Sequence, residues 1–195
     1  MCKSSHQNGG PKSNVVEFTL FIQTDSNATL PLLRRPEIKS VNEGKAIPEF
    51  TASITGDKQL QLSDLLGKQT VIYFYPRDST PGCTTEGQDF RDQITAFTDV
   101  DTQIFGASRD SIKSHERFKE KQQFPFDLIS DPDESFCKLF NVIKLKKLYG
   151  KEHMGIERST FLIDKKGILQ KEWRKVRVKG HVDEVLEAAQ QLYSS

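Results

Sequence analysis

Cysteine is scarce in this chain, and the scarcity is a constraint. Only Cys2, Cys83 and Cys137 occur among 195 residues. So few thiols, odd in number, do not form a disulfide framework and favour a reducing compartment, here the cytoplasm. Long apolar runs are missing too. Nothing approaches the ~20 residues that cross a bilayer, so no membrane association is expected. The most apolar N-terminal stretch, 15–22, is interrupted by Glu17 and lacks a following cleavage site, which argues against a secretory signal. An excess of charge of either sign is also absent. Lys plus Arg number 28 against 27 Asp plus Glu, a net charge of +1, which disfavours a dedicated nucleic-acid binder. His6, His115, His153 and His181 show no metal-ligand spacing with one another or with the cysteines, and no phosphate-cradling glycine loop is present. Neither a metal nor a cofactor is expected.

The length fits one domain with an added segment. Residues 1–14 are polar and contain Gly9, Gly10 and Pro11, so they read as disordered. Val16, Phe18 and Leu20 alternate with polar residues as in a short strand, and 25–46 reads as a linker or surface arm. The expected organisation is an N-terminal extension over 1–41 and a compact domain over 42–195. Within the latter, Phe50–Ile54 and Gln59–Leu62 flank the Gly56–Asp57 turn as a hairpin, and Ser63–Leu66 is one helical turn. Thr70–Tyr75 is continuously apolar, β-branched and aromatic, the pattern of a strand buried on both faces. From Cys83 the period changes: Phe90, Ile94 and Phe97 fall on one helical face, with Gly87 weakening the helix by ~1 kcal/mol.

Further on, Gln103–Ala107 reads as a strand, and Asp110 or Ser111 caps a helix to about Gln122 with Ile112 and Phe118 inward. Phe126–Ile129 is a strand. A helix follows over Glu134–Phe140, with Pro132 at its first position. Residues 144–155 are basic and contain glycines, hence a loop. Ser159–Ile163 and Ile168–Trp173 pair across the Asp164–Gly167 turn, and Val182, Val185, Leu186 and Ala189 mark a final helix, with Trp173 serving packing. Strands alternating with helices imply right-handed crossovers. The late hairpin makes the sheet mixed. The expected class is α/β: a thioredoxin-like fold with a central mixed sheet flanked by helices and an N-terminal extension.

The chemistry converges on residues 71–91, where a buried strand ends at Pro76 and a Pro-, Gly- and hydroxyl-rich turn leads to Cys83 at a helix start. Unpaired N–H groups and the helix dipole favour a negative charge there, and the thiolate is the nucleophile. Thr80 can offer a hydroxyl to an incoming oxygen, and Pro81–Gly82 let backbone approach the sulfur. Attack on a peroxide O–O bond would leave a sulfenic acid. From residue types alone, a small apolar cysteine at a helix start explains Cys83 equally well.

The run Tyr73-Phe74-Tyr75-Pro76, followed by Thr80-Pro81-Gly82-Cys83-Thr84, resembles the active-site signature of peroxiredoxins. Glu86, Phe90, Ala46–Phe50, Ile156–Asp164 and Trp173–His181 extend the resemblance to the bacterioferritin-comigratory or peroxiredoxin Q subfamily over roughly 42–193. The resemblance implies an antioxidant thiol peroxidase acting in cell redox homeostasis. It would reduce hydrogen peroxide and organic hydroperoxides on a thioredoxin fold, without metal or haem. It implies that Cys83 is the peroxidatic cysteine, that Thr80 hydrogen-bonds the peroxide, that Pro76 shields the sulfur from water, and that Arg158 pairs with thiolate and peroxide. It further implies a thioredoxin, glutaredoxin or low-molecular-weight thiol as reductant and a monomer or weak dimer.

One position departs from the subfamily pattern. Where many members carry a resolving cysteine five residues after the peroxidatic one, this chain has Gln88. Cys137 is the next candidate, but it lies among apolar helical neighbours and reads as a buried structural thiol. Cys2 sits in the tail, from where it could reach a sulfur of its own chain or of a partner, but a tail cysteine reads as incidental. One-cysteine cycling with an external thiol is therefore expected. A disulfide oxidoreductase is disfavoured, because the second cysteine of a Cys-x-x-Cys pair would fall at Glu86. A peroxide-sensing relay that uses the same cysteine is the alternative. The basic run Lys144, Lys146, Lys147 and Lys151 reads as a solvated loop able to help dock an acidic reductase.

Overall fold

The computed structural model describes residues 41–148 and 151–194. The expected strand at Val16–Leu20, the extension over 1–41 apart from Val41, and Cys2 lie outside the described residues.

A seven-stranded mixed sheet forms the centre. In chain order its strands are β1 (Thr51–Ile54), β2 (Lys58–Gln61), β3 (Gln69–Phe74), β4 (Thr102–Ser108), β5 (Asp127–Ser130), β8 (Ser159–Ile163) and β9 (Leu169–Trp173), and across the sheet they run β2-β1-β5-β4-β3-β8-β9. β3, β4 and β5 are parallel, and β8 pairs antiparallel with β3. Every residue of β3 is buried, as its unbroken apolar run requires. Its side chains alternate between two cores. Ile72 and Phe74 join Phe136, Phe140 and Phe161 on one face, while Val71 and Tyr73 join Phe90, Phe97 and Phe126 on the other. Rings in van der Waals contact dominate both cores: Tyr73 stacks on Phe90 at 4.6 Å, and Phe74 lies 5.2 Å from Phe140. Burying each such ring contributes roughly 1.5–3 kcal/mol.

The helices are α1 (Leu62–Leu65), α2 (Pro81–Asp92), α3 (Ile94–Asp99), α4 (Ile112–Gln122), α5 (Ser135–Leu139) and α6 (His181–Tyr193). The single helix expected beyond Cys83 is divided at Gln93, whose N–H is shared between the Asp89 and Arg91 carbonyls. Phe90 and Phe97 nevertheless bury completely on the same core. Ser111 caps α4 by accepting from the Ser114 N–H, whereas Asp110 turns instead to the Asp78 N–H. Pro132 does not open α5. Glu134 takes a left-handed conformation and delays the helix to Ser135, while Asp131 accepts from the Phe136 and Cys137 N–H groups.

The largest correction falls on 144–155. This is not a loop but a hairpin, β6 (Ile143–Leu148) and β7 (Lys151–Ile156), with Leu145 opposite Met154 and Lys146 opposite His153. The lysines disguise an alternating strand. Lys146 lays its stem along the hairpin and donates Nζ to the Ile156 carbonyl.

Candidate active site

Strand β3 delivers the chain to the site. The Tyr75 N–H still bonds the Ala107 carbonyl at 3.0 Å, and Pro76, which has no N–H, ends the ladder. The connecting turn 76–80 contains Ser79 in the left-handed region, φ 57°. It is pinned from below through Asp78. The Tyr75 hydroxyl donates to Asp78 Oδ1 at 2.8 Å and the Ser114 hydroxyl to Oδ2 at 2.7 Å, while the Asp78 N–H donates to Asp110 at 2.9 Å. The fully buried His115 places Nδ1 3.0 Å from the Asp78 carboxylate and Nε2 3.1 Å from the Ile129 carbonyl. Both ring nitrogens are thus held, Nδ1 by the carboxylate and Nε2 by a backbone carbonyl. Burial pushes the Asp78 carboxyl up, but hydrogen bonds from His115, the charge of that ring, Ser114 and Tyr75 outweigh it and hold the pKa below 3.8.

Thr80 is the N-cap residue of α2, followed by Pro81, Gly82 and Cys83 in the first turn. No side chain caps this end, so its N–H groups point outward. The Thr80 hydroxyl donates to the Arg77 carbonyl at 3.1 Å. Its single proton is therefore engaged, and its lone pairs remain to accept. Cys83 is 2% exposed, packed with Tyr73 and Phe90.

Arg158 arrives from the other side of β3, in the crossing from β7 to β8. Its carbonyl accepts from the Val176 N–H at 3.0 Å, which ties the residue down. Its Nη2 lies 3.3 Å from Cys83 Sγ, and its Nη1 donates to Glu86 Oε2. Glu86, one turn beyond Cys83, is fully buried, and its Oε1 has no hydrogen-bond partner. Burial drives the Glu86 carboxyl up to about 7, against the pull of Arg158. One guanidinium therefore serves two acidic groups on the same helical face. Tyr73 is buried against both of them. Burial first, then Glu86 and Cys83, push its phenol well above the usual range.

The structure brings Cys83 and Arg158 together and sets Thr80 and Pro76 on the adjoining turn. Gln88 is half-buried, with Nε2 donating to Gln122 Oε1 at 2.9 Å. Cys137 is elsewhere: it is fully buried on α5 in the core of the opposite sheet face, with Phe74 and Phe136. Burial, together with the neighbouring Asp131, pushes its thiol far above the ordinary range, so it stays protonated. Sequence reading missed Glu86, Asp78 and His115 as parts of the site. For Glu86 the three-residue spacing from Cys83 was available, because it puts both on one helix face. Nothing local connects Asp78 to His115.

The AhpC/TSA family model matches residues 44–172. The peroxiredoxin Bcp of Bacillus subtilis (strain 168) is 51% identical over 148 residues, covering 76% of this chain and 94% of the relative. The Bcp of Xanthomonas campestris is 53% identical over 140 residues, 72% and 88% of the two chains. Among solved structures, Xanthomonas campestris peroxiredoxin Q superposes with a TM-score of 0.71 at 50% identity, covering 74% of this chain and 91% of that one. The bacterioferritin comigratory protein of the same species, described with its alkyl peroxide reduction activity, gives 0.71 at 49% identity over 74% and 92%.

Proposed function

Since the chain belongs to the AhpC/TSA family, and within it to the Bcp or peroxiredoxin Q peroxiredoxins, we propose that it is a thiol peroxidase in which Cys83 reduces hydrogen peroxide and organic hydroperoxides. Domain 42–195 is the catalytic unit in this reading. The observation that carries it is the 3.3 Å approach of the Arg158 guanidinium to a cysteine in the uncapped first turn of a helix.

The geometry supports the following roles. The Thr80 hydroxyl, its proton already given to Arg77, accepts the O–H of the incoming peroxide. Arg158 Nη2 reaches both the sulfur and the space beside it, and stays charged throughout. Pro76, half-buried on the turn, shields the sulfur and the bound peroxide from water. The Cys83 thiolate attacks one peroxide oxygen. An S–O bond forms as the O–O bond breaks, and the second oxygen leaves with the electron pair as hydroxide or alkoxide, which takes up a proton. Arg158 and the α2 N–H groups stabilise the charge growing on that oxygen. The product is a Cys83 sulfenic acid and water or an alcohol.

Resolution then comes from outside. Gln88 holds no thiol, and the sheet separates Cys137 from Cys83. An external thiol (a thioredoxin, a glutaredoxin or a small thiol) condenses with the sulfenic acid, releases water, and is displaced by a second thiol that restores the Cys83 thiolate. Peroxide consumption driven by dithiothreitol should be lost in Cys83→Ser with folding intact. Mass spectrometry after one equivalent of peroxide should find a sulfenic acid or mixed disulfide at Cys83. Full turnover by Cys83→Ser would overturn the peroxidase reading, and an intrachain Cys83–Cys137 disulfide would overturn the one-cysteine cycle.

A further inference from the structure

The one-cysteine cycle requires a reductant to approach Cys83 from solvent, and the surface it would meet has a distinct make-up. Segment 174–180 runs beside the site. The Val176 N–H bonds the Arg158 carbonyl at 3.0 Å, and Val178 comes within 4.0 Å of the position a Gly82 Cβ would occupy. Val176 and Val178 are half-buried, whereas the alternating Lys175, Arg177 and Lys179 are exposed, and among the described residues none of the three pairs with a carboxylate. The β6–β7 hairpin borders the same surface. Lys144 and Leu145 line one groove with Lys175 and Arg174. In that groove Arg174 already neutralises Glu172, which leaves Glu157 against the lysines. On the hairpin the directly opposed Leu145 and Met154 are 62% and 52% exposed, an apolar pair within a cationic surround.

We propose that Lys175, Arg177 and Lys179, with the Leu145–Met154 pair, form the docking surface for an acidic dithiol protein that reduces oxidised Cys83. The idea rests on the one-cysteine cycle above. The charge complement defines the partner: three unneutralised cations attract carboxylates, and the solvent-facing apolar pair gains further stabilisation when a protein surface covers it. Redox encounters of this kind use small interfaces and depend on electrostatic steering. On docking, the first partner thiol condenses with the Cys83 sulfenic acid, forming an S–S bond and releasing water. The second partner thiol attacks the partner's own sulfur, freeing the Cys83 thiolate and leaving the partner oxidised.

The test compares wild type with Lys175→Glu/Arg177→Glu/Lys179→Glu in three assays. These are single-turnover oxidation by hydrogen peroxide, steady-state turnover with dithiothreitol, and turnover with an acidic thioredoxin kept reduced by its reductase. The expected result is that peroxide oxidation and dithiothreitol turnover hold, while kcat/KM for the thioredoxin falls roughly ten- to hundred-fold. The wild-type value should also fall steeply with added salt, and the variant value should not. A Leu145→Ser/Met154→Ser variant should raise KM for the thioredoxin alone. An unchanged thioredoxin kcat/KM, an equal loss in all three assays, or wild-type turnover with glutathione but not with the thioredoxin would each overturn the docking surface. Failure of dithiothreitol turnover in wild type would instead strike the peroxidase reading beneath it.

Discussion

Removing Arg158 should expose the cost of the carboxyl it serves. Glu86 is fully buried, one of its oxygens has no partner, and Arg158 bonds the other. A rise in its pKa from 4.5 to about 7 costs the ionised form about 3 kcal/mol. The sign follows from proton counting. Below pH 4.5 the folded and unfolded states both hold the proton. Between 4.5 and about 7 the folded protein keeps a proton that the unfolded chain gives up, so stability declines as pH rises. In wild type the decline ends near the folded value. In Arg158→Met the carboxyl has lost its cation, so the decline should continue at about 1.4 kcal/mol per pH unit. At pH 8, one unit above the wild-type folded value, this continued decline should make the variant less stable than its parent by about 1.4 kcal/mol, and at pH 8.5 by about 2 kcal/mol, beyond the pH-independent loss of the Arg158 packing. At pH 5 the difference should shrink, because the carboxyl is then neutral in both proteins. The measurement is urea unfolding at pH 5, 7 and 8.5, in a Cys83→Ser background so that Glu86 is the acidic group left beside Arg158. Adding Glu86→Gln to Arg158→Met should remove the slope and recover much of the stability. Equal pH dependence in the parent and Arg158→Met, or a slope that survives Glu86→Gln, would refute the reasoning.

Three further outcomes can be checked. Cys137→Ser should keep dithiothreitol-driven peroxide turnover and Cys83 oxidation intact while lowering the unfolding midpoint slightly, because the thiol packs in the far core; loss of turnover would show that it takes part in the cycle. Gly87→Ala should destabilise by about 1 kcal/mol, despite ~1 kcal/mol of gained helix propensity, since the new methyl would fall 2.5 Å from Phe124 Cζ; a higher midpoint would contradict this contact. His181 is 4% exposed, with Nε2 2.7 Å from the Thr160 hydroxyl, and burial and the Arg158 charge lower its pKa to about 4. The unfolded chain therefore takes up a proton that the folded one refuses, and stability should fall by up to about 3 kcal/mol as pH drops from 6.5 to 4. An NMR titration that finds His181 protonated at pH 6 would disprove it.

Sequence pattern carried most of the fold because most of its signals are local. The unbroken apolar run of β3, the change of period at Cys83 and the Asp164–Gly167 turn each act within a few residues, and each appears where expected. The β6–β7 hairpin was hidden because its lysines look solvated in sequence, although strand pairing uses the backbone and leaves their stems to cover it. The break at Gln93 left no composition signal.

At the site the sequence by itself determined a thiol at a helix start after a proline-ended strand, an arginine in a Glu-Arg-Ser-Thr run, and the lack of a thiol at position 88. Those depend only on residue identity and order. Tertiary structure decided which groups share charge and which are kept apart. It set Arg158 between Cys83 and Glu86, 75 and 72 positions away in the chain, and joined Asp78 to His115 beneath the turn. It also put Cys137 across the sheet from Cys83. Burial and distance in space set these energies, and neither is a property of any short stretch of chain.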